Sequence, residues 1–175
     1  NTIAAAEHAL AMLLSVSRHV PQAHGSMRSG AWDRKKYVGN ELYKKILGVV
    51  GLGKIGSHVA RVAKAMGMEV IAFDPFISAE RAQQMQVRLT TLESLFQQAD
   101  YITLHIPRTP DTENLVNAEL LRTMKSTARI VNCARGGIVD EPAIAEAIES
   151  GVIAGAGLDV FASEPLAQDS PLRAV

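Results

Sequence analysis

Apolar positions along this chain change their period near residue 46, and the change separates two kinds of segment. From Ile3 to Val20 apolar side chains recur at helical spacing (Ile3, Ala6, Leu10, Leu13, Leu14), with Asn1 or Thr2 as the candidate N-cap and Pro21 past the end. The pattern predicts one long helix. From Gln22 to Lys45 the periodicity is lost, and Trp32, Asp33, Arg34, Lys35 and Lys36 stand in a polar, basic stretch that reads as a linking loop with short turns.

Beyond it, Ile46 to Val50 is a short apolar run closed by Gly51, as expected of a strand buried on both faces of a parallel sheet. Similar runs follow at Glu69–Phe73, Val87–Leu89, Tyr101–Ile106, Arg129–Asn132 and Ala154–Val160. Between them the spacing predicts helices at Ile55–Met66, Ser78–Met85, Leu92–Gln97, Ala118–Met124 and Pro142–Ser150. The last has Asp140 as its candidate N-cap and Gly151 just past its end. Alternation of strand and helix specifies an α/β fold, a doubly wound parallel sheet of the Rossmann type with right-handed crossovers. Residues 1–45 then form a helix and linking segment, and 46–175 the Rossmann core, of one nucleotide-binding domain.

Gly51, Gly53 and Gly56 spell GLGKIG between the first strand and its helix. In that position the first glycine permits a tight turn, the second lets backbone approach a pyrophosphate, and the third allows close helix–strand packing. Lys54 and Ile55 lie inside the turn. Asp74 ends the second strand 18 positions after Gly56, close to the spacing of a carboxylate that accepts from a ribose 2′-OH and repels a 2′-phosphate. The pairing favours NAD over NADP. A second constellation, NCARGGIVDE from Asn132 to Glu141, follows the fifth strand and should emerge at its carboxyl end. Arg135 there suits two-pronged recognition of a carboxylate, and Gly136 with Gly137 gives the backbone room to turn. LDVFASEP places Asp159 and Glu164 on the same rim, where Glu164 can keep an imidazole protonated.

Composition narrows the partners. Among 175 residues, 18 basic and 18 acidic side chains cancel, which argues against a nucleic-acid face, and no apolar run reaches the roughly 20 residues of a membrane span. Cys133 is the only cysteine, so an internal disulfide and a Cys-based zinc cluster are excluded, no metal is assigned, and a reducing, cytoplasmic setting fits. The chain opens on Asn1 without an initiator Met or leader pattern, and reads as a piece of a longer protein.

Taken together, GLGKIG, FDP, LHIP, NCARGGIVDE and LDVFASEP resemble the D-isomer-specific 2-hydroxyacid dehydrogenases, along the whole chain. WDRKKYVG and NCARGGIVDE resemble most the branch that oxidises 3-phosphoglycerate with NAD at the first step of serine biosynthesis. The resemblance implies cofactor contacts from Lys54, Ile55, Asp74, His105, Ile106, Pro107, Cys133, Ala134, Arg135 and Asp159. It also makes Arg135 the residue that orients the substrate carboxylate, Glu164 the partner of the catalytic histidine, and Asn1 a neighbour of the substrate pocket. That histidine follows one further strand in the family, and none of the five here matches it. His8, His19 and His24 read as surface or packing residues, His58 as structural, and His105, in an HxP pattern, as cofactor-lining. The substrate domain and the catalytic histidine are thus expected outside this chain. Arg34, Lys35 and Lys36 read as a solvated basic loop, with a substrate phosphate as the alternative partner. The Ala- and Leu-rich first helix suggests packing across a two-fold axis, in a homodimer or homotetramer. Two alternatives stay open: a family member acting on glyoxylate, hydroxypyruvate or D-lactate, and an NAD-sensing interaction module like the family's corepressor branch.

Overall fold

A computed structural model describes all 175 residues. Six parallel strands, β1 (Ile46–Val50), β2 (Glu69–Phe73), β3 (Arg88–Leu89), β4 (Tyr101–Leu104), β5 (Arg129–Asn132) and β6 (Gly155–Leu158), form one sheet in the order β3-β2-β1-β4-β5-β6. Helices α3 (Lys54–Ala65), α4 (Ala79–Gln84), α5 (Leu92–Gln98), α6 (Ala118–Arg122) and α7 (Glu141–Glu149) alternate with them. This is the doubly wound arrangement that the periodicity predicts, with boundaries that differ by a few residues. β4 and β6 end earlier than expected, which leaves His105, Ile106, Asp159 and Val160 in the loops at their carboxyl ends.

The N-terminal segment departs from expectation. Helix α1 (Thr2–Arg18) stops at His19, which adopts a left-handed conformation (φ 55°), and a second helix, α2 (Val20–Arg28), starts at once with Pro21 in its first turn. Pro21 therefore opens a helix, because its missing N–H costs nothing where no intrahelical acceptor exists. Asn1 occupies the N-cap position of α1 without a side-chain cap bond, and a 3-10 turn at Arg34–Tyr37 follows α2.

Burial explains how these elements hold together. Side chains alternate along β1: Leu47 and Val49 join a layer with Ala6, Ala9, Leu10 and Leu13 of α1 and Val59, Ala60 and Ala63 of α3, whereas Val50 joins Leu95 and Phe96 of α5 and Ile144 of α7 across the sheet. The small alanines of α1 and α3 let the two helices approach closely. The Ala/Leu stripe that suggested a two-fold contact is thus used within the chain.

Two details fix the centre of the sheet. Gly48 of β1 leaves room for α5, since a Cβ there would lie 2.5 Å from Leu95 Cδ2 and 3.1 Å from Ala99 Cβ. Asp100, just before β4, accepts from the Ile46 amide (2.8 Å) and from Lys125 Nζ (2.9 Å), tying the amino ends of β1 and β4 to the segment leading into β5. Partial burial opposes the charge of Asp100, but the Ile46 amide and Lys125 outweigh it and hold its pKa below the ordinary aspartate value.

Gly48→Ala should cost roughly 1–3 kcal/mol by overpacking against Leu95, measured by chemical denaturation. A depressed carboxylate pKa contributes stability that is present above its unfolded value and lost as pH falls through the folded one. Asp100→Asn should therefore lower stability at neutral pH and flatten the loss on acidification; an acid limb as steep as before would show that this carboxylate contributes nothing to it.

Candidate functional site

Connections from β1 run outward to β2 and β3 on one side and, by way of β4, to β5 and β6 on the other, so the order reverses between β1 and β4. At such a switch point the loops diverge beyond the carboxyl ends of the strands and leave a crevice. The glycine turn forms one wall. Gly51 has φ 93°, and a Cβ there would meet the His105 carbonyl oxygen at 2.7 Å and Ile106 Cγ2 at 2.9 Å, so only glycine fits. A Cβ on Gly56 would run into the Gly51 carbonyl. At Gly53, by contrast, a Cβ would find nothing within 4 Å: this is the open side of the turn. Gly53 caps α3 without a side-chain bond, and the first turn of that helix carries no acid, so its amino end is free to receive an anion. The turn accordingly fits a dinucleotide pyrophosphate.

Asp74 holds the turn from β2. Its Oδ2 accepts from the Leu52 amide at 2.7 Å and its Oδ1 from the Phe76 amide at 2.9 Å, while Ser57 Oγ donates to the Leu52 carbonyl. Half-buried and without a cationic partner, the carboxylate is aligned with the turn and keeps lone pairs for a ribose hydroxyl.

Across the crevice lie His105, Ile106 and Pro107. His105 Nε2 is 3.0 Å from Thr103 Oγ1, and burial drives its pKa down to about 4. A neutral imidazole lines a site well but is a poor proton-holding group at physiological pH. At the end of β5, buried Asn132 organises the next loop: Oδ1 accepts from the Ala134 amide and Nδ2 donates to the Arg135 carbonyl, each at 3.0 Å. Arg135 is exposed and has no carboxylate partner; Nη1 donates to the Ala134 carbonyl at 2.6 Å. Gly136 has no room for a Cβ beneath the Phe161 carbonyl, which brings the β6 loop down against this one. Glu164, exposed in that loop, accepts from the Phe161 amide at 3.1 Å.

Cys133 is half-buried, and burial together with the Asp159 charge pushes its thiol up to about 12. Asp159 pairs with His8 of α1, Nε2 to Oδ1 at 3.0 Å. His8 is therefore exposed yet attached to the rim, which its sequence context did not show: its partner lies 151 positions away. His19 sits at the α1/α2 junction, His24 is exposed on α2, and His58 faces Arg61 of its own helix. Asn1, Arg34, Lys35 and Lys36 are all exposed outside the sheet. The motifs carry no sign of the scaffold roles of Asn132 and Thr103, although Asn132 closes a buried run, where a polar residue signals a loop that needs internal bonds.

Residues 10–175 match the family model for the D-isomer specific 2-hydroxyacid dehydrogenase, NAD binding domain. Among relatives, a D-3-phosphoglycerate dehydrogenase of Synechocystis is 63% identical over 168 residues, and that of Bacillus subtilis 52% over 165; these cover 96% and 94% of this chain but 30% and 31% of the relatives. The chain thus spans under a third of their length. Among solved structures, a Granulicella formate dehydrogenase superposes with a TM-score of 0.93 at 31% identity, covering 99% of this chain and 47% of that one. A Lactobacillus delbrueckii D-isomer specific 2-hydroxyacid dehydrogenase in its NAD-complexed form gives 0.83 at 32% identity, over 97% and 54%. With the glycine turn, Asp74 and the two rim loops converging on one crevice, the chain belongs to the NAD-binding domains of the D-isomer-specific 2-hydroxyacid dehydrogenases.

Proposed function

We propose that this chain is the nucleotide-binding part of an enzyme that oxidises D-3-phosphoglycerate to 3-phosphooxypyruvate with NAD, the first step of L-serine biosynthesis. The observation that carries the reading is the juxtaposition, at the carboxyl edge of one sheet, of an uncapped glycine turn with an arginine free of any acidic partner. The names of the relatives at 63% and 52% identity support the choice of substrate.

NAD supplies the hydride acceptor. Gly53, on the open side of the turn, gives its phosphates close backbone approach, Gly51 and Gly56 hold the turn tight behind them, Lys54 and Ile55 flank the phosphates, and Asp74 accepts from the adenosine ribose. His105, Ile106, Pro107, Cys133, Ala134, Arg135 and Asp159 line the remainder of the crevice. The exposed Arg135 guanidinium grips the substrate carboxylate in a fork that holds C2 toward the nicotinamide. Glu164 stabilises the imidazolium that forms when a neutral imidazole supplied from outside this chain takes the hydroxyl proton. Asn1 approaches the substrate pocket from the start of α1. On this reading residues 1–175 belong to one NAD-binding domain, and the substrate domain lies elsewhere in the enzyme.

No helix of the chain is long and apolar enough to cross a membrane. Six of the nine exposed large apolar side chains, Ile3, Leu14, Val20, Met27, Trp32 and Val38, fall in the first 38 residues. That concentration supports a homodimer or homotetramer formed through this domain, and the single unpaired thiol supports a reducing, cytoplasmic location.

In the intact enzyme, 3-phosphoglycerate should be oxidised faster than D-lactate or than glycolate and D-glycerate, the reduced forms of glyoxylate and hydroxypyruvate; preference for one of these identifies another branch of the family, and cofactor binding without turnover of any identifies an NAD-sensing module. Asp74→Ala should weaken NAD binding by roughly 1–3 kcal/mol in titration calorimetry, through loss of a charged hydrogen bond. Unchanged affinity would remove Asp74 from the site. Arg135→Lys should raise KM for the hydroxy acid and lower kcat, since an ammonium cannot reproduce the fork.

A further inference from the structure

α1 contributes more to the rim than packing. His8, Cys133 and Asp159 come from α1 and from the loops after β5 and β6, yet the imidazole nitrogen, thiol sulfur and carboxylate oxygen all lie within 4.8 Å of one another. We propose that these three residues form a site for a divalent cation of the zinc class, and that metal and cofactor exclude one another there.

The donor set selects the ion. Imidazole, thiolate and carboxylate together suit zinc and its borderline-soft neighbours, whereas magnesium and calcium need all-oxygen shells. Bond lengths of about 2.0–2.3 Å in a tetrahedron place ligand atoms roughly 3.3–3.8 Å apart. His8 Nε2 and Asp159 Oδ1 already stand at 3.0 Å and every donor pair lies within 4.8 Å, so side-chain rotation suffices to bring the three around one ion. His8 and Asp159 are both exposed and free to adjust, and a water completes the fourth position. Binding replaces the thiol proton, which passes to the buffer, and the His8–Asp159 hydrogen bond with bonds to the metal. The single cysteine ruled out a cysteine cluster; a mixed site needs only one, and the fold supplies the other two donors from distant parts of the sequence.

Exclusion of the cofactor rests on the proposed function, because Cys133 and Asp159 belong to the set assigned to NAD; metal binding itself does not. Cobalt(II) is the probe, since ligation by a thiolate gives a charge-transfer absorption that imidazole and carboxylate do not. The protein should show that band on titration, Cys133→Ser should abolish it, His8→Gln should weaken cobalt binding at least tenfold, and zinc should displace the cobalt. Because His8 is exposed on a helix surface, its variant tests the site without disturbing the core. Absence of the band, its survival in Cys133→Ser, or unchanged affinity in His8→Gln would overturn the proposal. Saturating NAD should suppress the band in the wild-type protein. A band that depends on both residues but ignores NAD would support the metal site, overturn its exclusion of the cofactor, and count against the assignment of Cys133 and Asp159 to NAD.

Discussion

Contact between the glycine turn and the strand beside it is the constraint from which the site follows. Gly51 can lie against the His105 carbonyl only because it lacks a Cβ, and its amide still reaches Phe73 while the His105 amide reaches Val50. Three strands are thereby joined at their carboxyl ends in one row of backbone bonds. Any larger residue would push β1 and β4 apart where their loops diverge, and would reshape the crevice between them. Gly56, packed on Gly51, passes the same closeness to α3 and so aims the amino end of that helix at the opening.

Around this point the polar groups are held by scaffold bonds, which leaves their functional faces available. Asp74 spends two acceptor positions on backbone amides and retains the others; Asn132 saturates the Ala134 amide and the Arg135 carbonyl, so Arg135 projects outward without an acid to neutralise it. Anion recognition here does not require a positive protein. The chain is neutral overall, and the groups suited to phosphate and carboxylate are the uncapped amides at the start of α3 and one guanidinium.

Much of this was legible in the sequence because it is local. Short apolar runs mark the strands, and GLGKIG with Asp74 marks the candidate nucleotide site, since the turn leaves no room for a Cβ at Gly51 or Gly56. Non-local features were hidden. Pro21 reads equally as a stop or a start, and the choice depended on His19 taking a left-handed conformation. The Ala/Leu stripe of α1 shows that a face is buried but not against what, and α3 with the sheet covers Ala6, Ala9, Leu10 and Leu13. His8 carries no mark of its link to Asp159, because the sheet order alone brings α1 beside β6.

Amide NMR during an NAD titration tests most directly whether NAD lies across the β1/β4 switch point. Binding there should shift Gly51–Gly56, Asp74, His105, Ile106, Cys133–Arg135 and Asp159, with the remote edge of the sheet undisturbed. Shifts confined to the basic groove beside α3, around Arg61, Lys64 and Arg81, would contradict it.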